Sequence, residues 1–421
     1  MSASGASMPV WLFVSYGGGH VKALLPVAQR VRELGIAEPV YLALTTAAAV
    51  VKPTGLRTLG FRDAMTLSDE RARRKGEELA GQLQVQAADR DESIAYLGLS
   101  YIDMEERLGA AAAAQQFRQY GRQAFLPVHI LRRILQRLRP ALVVATNSPR
   151  AEQAALVAAR EMAIPSVCLV DLLGIWERDL LASPDYADAV CVLNEAVRES
   201  LVRAGRPASQ VHVTGNPAFD TVNDPAMLAA GARLRAQAGW DALHVMLYAS
   251  SPEPTGIPGV EGTGDPAFPR RIEETLIAAV QANPGLALWV RRHPSEARAD
   301  EVAAANHARV CVASPEMPLH ACIHASDEVI VTVSTVGVEA SLAGKRVTQV
   351  RGSILDHLSP YLQMGIADRE LTVAELPLAY AGQHGVAGAG ARRPLAAIGN
   401  ATQRVVEVLQ AVAMPKDGHG L

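Results

Sequence analysis

Cysteine is scarce in this 421-residue chain, and its four copies follow no pattern. Cys168, Cys191, Cys311 and Cys322 include no Cys-x-x-Cys pair, which excludes a structural zinc site and a small disulfide framework. Cys168 and Cys191 sit in apolar runs and read as small core residues. Aromatic residues make up only 5%, too few for base-stacking platforms. A basic excess is missing as well. Lys plus Arg total 40 against 43 Asp plus Glu, giving a net charge of −3, so no nucleic-acid partner is expected. No run reaches the ~20 apolar residues of a membrane span. The start MSASGASMPV has neither a basic segment nor a long apolar one, so no secretion signal is expected. A cytoplasmic protein is the resulting expectation. The glycine fingerprint of dinucleotide sites is also absent.

Apolar residues are plentiful at 49%, enough for a large core, and the length suggests two or three domains. The apolar runs are short and follow a rhythm. Val10–Ser15 reads as a buried strand, Gly17-Gly18-Gly19 breaks it, and Val21–Leu34 has helical spacing up to Gly35. Pro39–Leu44, Ala141–Ala145, Ser166–Val170, Ala189–Leu193 and Val211–Thr214 repeat the strand pattern, with Arg150–Met162 and Glu195–Ala204 as helices. A second series follows, with strands at His244–Ala249, Leu286–Val290, Glu328–Val333 and Arg346–Val350 and helices at Arg271–Ala282 and Gly337–Leu342. Continuous apolar strands alternating with helices predict parallel sheets covered on both faces. The fold class is therefore α/β, with two doubly wound halves that divide near Gly215–Arg235. Ser68–Phe125 reads as an inserted helical element, Ser251–Phe268 as a long Pro/Gly-rich loop, Gly382–Ala391 as a connector, and Ala396–Val412 as a closing helix.

Polar residues gather where strands end. Gly17, Gly18, Gly19 and His20 lie between the first strand and its helix, where open α/β sheets bind ligands. Asn147 and Ser148 follow one later strand and Asp171 another, while Thr214-Gly215-Asn216-Pro217 closes the first half. Arg291-Arg292-His293-Pro294 follows the strand LALWV, and its cations suit a diphosphate or a carboxylate. Ser334 and Thr335 can cap a helix that continues through Gly337 and Glu339, giving a phosphate seat with Glu339 within reach of a ribose diol. Each of these also has a plain structural reading as a turn, a charged loop or a capped helix. The arginine-rich amphipathic segment Phe125–Arg139 reads first as a helix packed on the sheet, with an anionic membrane surface as the alternative.

Taken together, GGGH (Gly17–His20), VTGNPAFD (Val213–Asp220), the RRHP turn and STVGVEASLAGKRV (Ser334–Val347) resemble the GT-B superfamily of nucleotide-sugar enzymes, across roughly Val10 to Val350. The GGGH turn is similar to that of the glycosyltransferase that makes the peptidoglycan lipid precursor. The HP turn and STVGVEA look like bacterial surface-polysaccharide transferases that use CMP-activated sugars. VTGNPAFD is similar to UDP-N-acetylglucosamine 2-epimerases, but the Gly-Thr-Arg-Pro-Glu and Asp-Ser-Gly-Gly segments of those enzymes are replaced here by Ser15–Gly19 and Ser334–Gly337.

The resemblance implies two Rossmann-like domains facing a central cleft. Residues 1–220 would bind the acceptor, 221–395 the nucleotide-sugar, and 396–421 would form a closing helix and tail. It implies that Ser250, Ser251, Arg291, Arg292, His293, Ser334, Thr335, Gly337 and Glu339 hold the donor. Gly17, Gly18, Gly19, Asn147 and Asn216 would line the acceptor side, with His20 as base and Asp171 as second choice. The implied activity is glycosyl transfer to a glycan, lipid-linked or protein acceptor in bacterial surface-polysaccharide synthesis. Epimerisation and non-catalytic nucleotide-sugar binding are the alternatives. No cofactor or metal is implied, and contact with the inner membrane would be peripheral.

Overall fold

The structure is a computed structural model, and it describes residues 8–83, 90–257, 260–293, 295–296, 307–314, 316–382 and 399–414. Pro294 and the Gly382–Ala391 connector beyond Gly382 lie outside these. The chain forms two compact units. One runs up to Ala218 and resumes at Asn400; the other is Phe219–Gly399.

The first unit is built on strands β1 (Val10–Ser15), β2 (Glu38–Ala43), β3 (Arg57–Leu59), β4 (Leu142–Thr146), β5 (Ser166–Leu169), β6 (Ala189–Val192) and β7 (Val211–Val213). They form one sheet in the order β3-β2-β1-β4-β5-β6-β7, with every described pairing parallel. β4, β5 and β6 are buried along their whole length, as strands covered by helices on both faces must be. The closing helix is Ala401–Ala413. Its buried Val405, Val406 and Leu409 join the core of this first unit, and Arg404 Nε donates to the Thr214 carbonyl at 2.8 Å.

The helical insertion consists of Glu70–Gln82, Arg90–Leu108 and Ala110–Tyr120. Its helices meet backbone to backbone: a Cβ on Gly98 would lie 1.9 Å from the Ala72 carbonyl oxygen. Tyr96 from the insertion packs edge-on against Tyr16, and the two hydroxyls are 3.0 Å apart. The insertion thereby braces the loop after β1. The basic helix is Val128–Leu138, with Leu131, Ile134 and Leu135 buried. Its arginines are engaged within the unit: Arg133 with Asp69 and the Ala64 carbonyl, Arg132 with Glu161, and Arg137 with the Asp63 carbonyl. These contacts agree with the packed reading. Among the described residues no helix is long and apolar enough to cross a membrane.

The second unit has strands β8 (His244–Ala249), β9 (Leu286–Arg291), β10 (Val310–Val312), β11 (Glu328–Val331), β12 (Arg346–Arg351) and β13 (Arg369–Thr372). Their order is β10-β9-β8-β11-β12-β13, again parallel. The long loop after β8 carries no helix or strand among its described residues. Glu253 ties it down by accepting from Ser353 Oγ at 2.6 Å and from the Ile354 N–H at 2.8 Å.

Glu328 opens β11 fully buried and accepts from His244 Nε2 (3.1 Å), Arg369 Nη2 (2.9 Å), the Tyr380 hydroxyl (3.1 Å) and the Thr348 hydroxyl. Burial alone would raise its pKa, but these contacts outweigh burial and hold it at about 2. A depressed carboxyl stabilises the fold above its unfolded pKa and loses that contribution as pH falls toward the folded value. We expect Glu328→Gln to flatten the acid limb of the melting curve between about pH 4.5 and 2, a range that carries on the order of 3 kcal/mol in the parent. Thermal melts across that range check this.

Candidate functional site

Each sheet reverses its strand order once. In the first unit the chain moves outward from β1 through β2 to β3, then restarts at β4 on the other side of β1. In the second the restart falls between β8 and β11. Open parallel sheets leave a crevice outside the carboxyl ends of the strands at such a point.

At the first crevice, the turn after β1 needs its glycines. A Cβ on Gly17 would lie 1.9 Å from Thr46 Oγ1, and Gly18 has φ +69° and ψ −132°. Gly19 begins the helix Gly19–Glu33, which carries His20 to the end of β4. His20 Nδ1 lies 2.8 Å from Oγ1 of Thr146, the last residue of β4. Its Nε2 lies 3.8 Å from Asp171 Oδ2, beyond hydrogen-bond reach. Asp171 is fixed by its own backbone: its N–H donates to Asn147 Oδ1 at 3.0 Å, and its carbonyl accepts from Asn216 Nδ2. The structure thus brings His20, Asp171, Asn147, Asn216 and the glycine turn together.

Three side chains beneath this group were not anticipated. Glu152, on the helix Ala151–Glu161, has no solvent exposure. Its Oε1 accepts from the Tyr16 N–H at 2.6 Å and its Oε2 from the Ser148 N–H at 2.8 Å. Burial raises its pKa, while His20, the Thr146 hydroxyl and those two N–H groups oppose the rise. Glu177 is likewise pushed up by burial, and it accepts from Asn147 Nδ2 at 3.2 Å. Thr146, the third, meets the His20 imidazole. One signal was available in the sequence. Glu152 stands on a helix face otherwise made of Ala151, Ala155, Ala158 and Ala159, where an acid has no place unless it is paired.

At the second crevice, Ser250 follows β8, and its Oγ donates to Glu296 Oε1 at 3.0 Å. Glu296 Oε2 accepts the His293 N–H at 2.9 Å, so one carboxylate joins the two loops. His293 is exposed. Its Nδ1 accepts the Ser295 N–H at 3.2 Å, which leaves the Nε2–H facing outward as a donor. Ser251 is half-buried beside Ser250, and Thr335 is exposed beyond β11. Ser334 Oγ accepts the Val336 N–H at 3.3 Å, whereas Thr335 makes no capping bond on the short helix Val336–Leu342. Gly337 is required by packing, since a Cβ there would lie 2.9 Å from Val331 Cγ2 and 3.1 Å from the Tyr361 ring. Glu339 is not open as expected: His320 Nε2 donates to its Oε2 at 2.7 Å. Arg291 Nη1 donates to the Met317 carbonyl at 2.6 Å.

The Arg292 guanidinium turns to Glu273 on the helix Phe268–Ala282 (2.7 Å), with only 13% and 7% of the two side chains exposed. A buried carboxylate thus engages the side chain. Among the described residues, no cluster of three or more His, Cys, Asp or Glu side chains could hold a metal ion. The sequence does contain one Asp-x-Asp spacing, at residues 89–91 in the helical insertion, and residue 89 lies outside the described set.

No family model matches the sequence, and no curated protein does. Solved structures do match. The UDP-GlcNAc 2-epimerase of Neisseria meningitidis bound to UDP-GlcNAc aligns at 13% identity and TM-score 0.55, over 96% of this chain and 100% of its own. The glycotransferase of kitacinnamycin aligns at 14% and 0.57, over 97% and 100%. The UDP-GlcNAc 2-epimerase of Methanocaldococcus jannaschii aligns at 10% and 0.53, over 96% and 99%. At these identities the likeness establishes the fold alone, two parallel-sheet α/β domains of GT-B type, here of seven and six strands.

Removing one partner of a buried ion pair strands the other charge. Arg292→Ala should therefore destabilise the protein by about 3–5 kcal/mol, an effect that denaturant unfolding would measure without any ligand.

Proposed function

We propose that the chain is a nucleotide-sugar enzyme that transfers a glycosyl group to a hydroxyl acceptor, with His20 as its general base. The observation that carries this reading is the His20 imidazole. It is held at the first crevice by Thr146 on one nitrogen, and the other nitrogen is left unbonded beside Asp171. An imidazole is the side chain most often used to take a proton from an alcohol.

In the step, His20 Nε2 takes the acceptor hydroxyl proton. The acceptor oxygen forms a bond to the anomeric carbon, and the bond from that carbon to the nucleotide phosphate oxygen breaks, its electron pair leaving with the phosphate. Asp171 stands 3.8 Å away to balance the imidazolium that results. Gly17, Gly18, Gly19, Asn147 and Asn216 shape the acceptor side.

The donor belongs to the second unit in this reading. His293 contributes an outward Nε2–H to the phosphates, and Arg291 contributes charge behind it. Ser250, Ser251, Ser334 and Thr335 supply hydroxyls and backbone N–H groups around the crevice, Gly337 keeps the turn tight, and Glu339 with His320 stands near the ribose. The acceptor would be a glycan, lipid-linked sugar or protein of a surface-polysaccharide pathway.

A second reading, UDP-N-acetylglucosamine 2-epimerisation, is favoured by the solved structures of similar fold, several of which are such epimerases. UDP-N-acetylglucosamine incubated alone with the protein separates the two. The transferase reading expects the compound to remain intact, and conversion to the 2-epimer or release of UDP without acceptor would overturn it. A melting-temperature screen against UDP, CMP, GDP, dTDP and CDP identifies the base, because a ligand of the folded state raises Tm by mass action. With the donor and acceptor in hand, His20→Ala should lower kcat by about 100- to 10,000-fold while leaving nucleotide affinity, measured by calorimetry, little changed.

A further inference from the structure

We propose that Trp176 is the stacking platform of the acceptor subsite, and that the group bound on it is a pyranose sugar ring. This rests on the reading of the first crevice as the acceptor side. It narrows the acceptor to a glycan or a lipid-linked sugar, recognised through the sugar itself.

The chain has four tryptophans. Trp11, Trp240 and Trp289 are 3–4% exposed, whereas Trp176 is 57% exposed. A lone exposed aromatic is ordinary on a protein surface. What singles this one out is the loop that carries it, Asp171–Glu177, which follows the carboxyl end of β5. One side chain closes that loop. Asn147 Oδ1 accepts the Asp171 N–H at 3.0 Å, and Asn147 Nδ2 donates to Glu177 Oε2 at 3.2 Å. Both ends of the loop are thereby tied to the crevice that holds His20.

The middle of the loop is pinned from below. Leu173 is buried, and Gly174 has φ +57° with no room for a side chain. A Cβ there would lie 2.7 Å from Leu181 Cδ1 and 3.0 Å from Val170 Cγ1. The chain then turns. The Arg178 N–H donates to the Ile175 carbonyl at 3.4 Å, and the Leu181 N–H to the Glu177 carbonyl at 2.8 Å. Trp176 stands inside this turn, one residue before the one that bonds Asn147. The loop buries its leucine and keeps its indole in water on a fixed backbone, at the lip of the crevice.

The face of an indole ring is slightly negative and attracts the slightly positive C–H face of a pyranose. The edge of the sugar carries hydroxyls. Asp171 and Glu177, at the two ends of the loop, offer carboxyl groups, which accept from hydroxyls when ionised and can also donate when protonated. A hydroxyl held at Asp171 Oδ2 would stand beside His20 Nε2, 3.8 Å from that oxygen. An aromatic ring flanked by carboxyl groups suits a flat ring with a polar edge. It does not suit an anionic lipid surface, which Asp171, Glu177 and the exposed Asp179 would repel.

The test reads the indole directly. Full-length protein labelled with 5-fluorotryptophan gives 19F signals from Trp11, Trp176, Trp240 and Trp289, and Trp176→Phe identifies the Trp176 signal by its loss. The wild type is titrated at millimolar concentration with N,N′-diacetylchitobiose, cellobiose, lactose and maltose, without nucleotide. At least one disaccharide should move the Trp176 signal and leave the other three in place. If none moves it, the proposal is overturned. It is equally overturned if the signal moves only with phosphatidylglycerol vesicles or with a serine-rich peptide.

Kinetics separate this proposal from the reading beneath it. With a donor and a sugar acceptor in hand, Trp176→Ala should raise the acceptor KM by roughly 10- to 100-fold, with kcat, Tm and nucleotide affinity little changed. Trp176→Tyr should recover most of the loss. An indole that served only the fold would lower Tm and leave KM alone, which overturns the proposal while the transferase reading stands. A Trp176 signal moved by a sugar, with no transfer to any acceptor, leaves the sugar subsite standing and overturns the transferase reading.

Discussion

A buried carboxylate governs the first unit. Glu152 has no exposure, and an ion taken out of water costs several kcal/mol unless its oxygens are met. Here they are met by two backbone N–H groups, those of Tyr16 and Ser148, from the loops after β1 and β4. The loops after β1 and β4 therefore cannot shift independently without leaving that buried carboxyl group without partners. Tyr16, just before the Gly17–Gly19 turn, and Ser148, just after the end of β4, are both tied to it. The aromatic contact between Tyr16 and Tyr96 reinforces it from the helical insertion.

The second unit repeats the topology with different chemistry. A carboxylate again joins two loops, but Glu296 is nearer the surface and holds Ser250 and the His293 backbone. The crevice presents hydroxyls and an outward imidazole N–H, a surface suited to an anion. The first crevice instead gathers Glu152, Asp171 and Glu177 around one imidazole, a surface suited to moving a proton. That division of labour between two similar sheets is the physical basis for assigning the phosphate-bearing ligand to one and the hydroxyl-bearing ligand to the other.

The central strands were legible because a parallel sheet covered on both faces demands continuous apolar runs, as in Leu142–Thr146 and His244–Ala249. Three of the four edge strands were not: Arg57–Leu59, Val310–Val312 and Arg369–Thr372 are three or four residues long and partly exposed, too short for a long apolar run to mark them. At the site, glycines between strand and helix and polar residues at strand ends pointed to His20, Asp171 and Asn147, because sheet topology puts such residues at the crevice. Glu152 was missed because its partners are backbone N–H groups, which look alike in every sequence. The ion pair of Arg292 with Glu273 was not legible, because Glu273 lies on the preceding helix. Adjacent arginines on a strand end point to opposite faces, so only one of such a pair can face the crevice.

Chemical rescue tests the central claim most directly. If His20 removes the acceptor proton, the inactive His20→Gly variant, given donor and acceptor, should regain transfer as free imidazole is added, because the small base can enter the space left by the side chain. Recovery should rise with the concentration of neutral imidazole and be absent with an amine too bulky for that space. A variant that transfers sugar at the parent rate without imidazole would contradict the account, as would one that stays inactive at every imidazole concentration although folded and able to bind the donor.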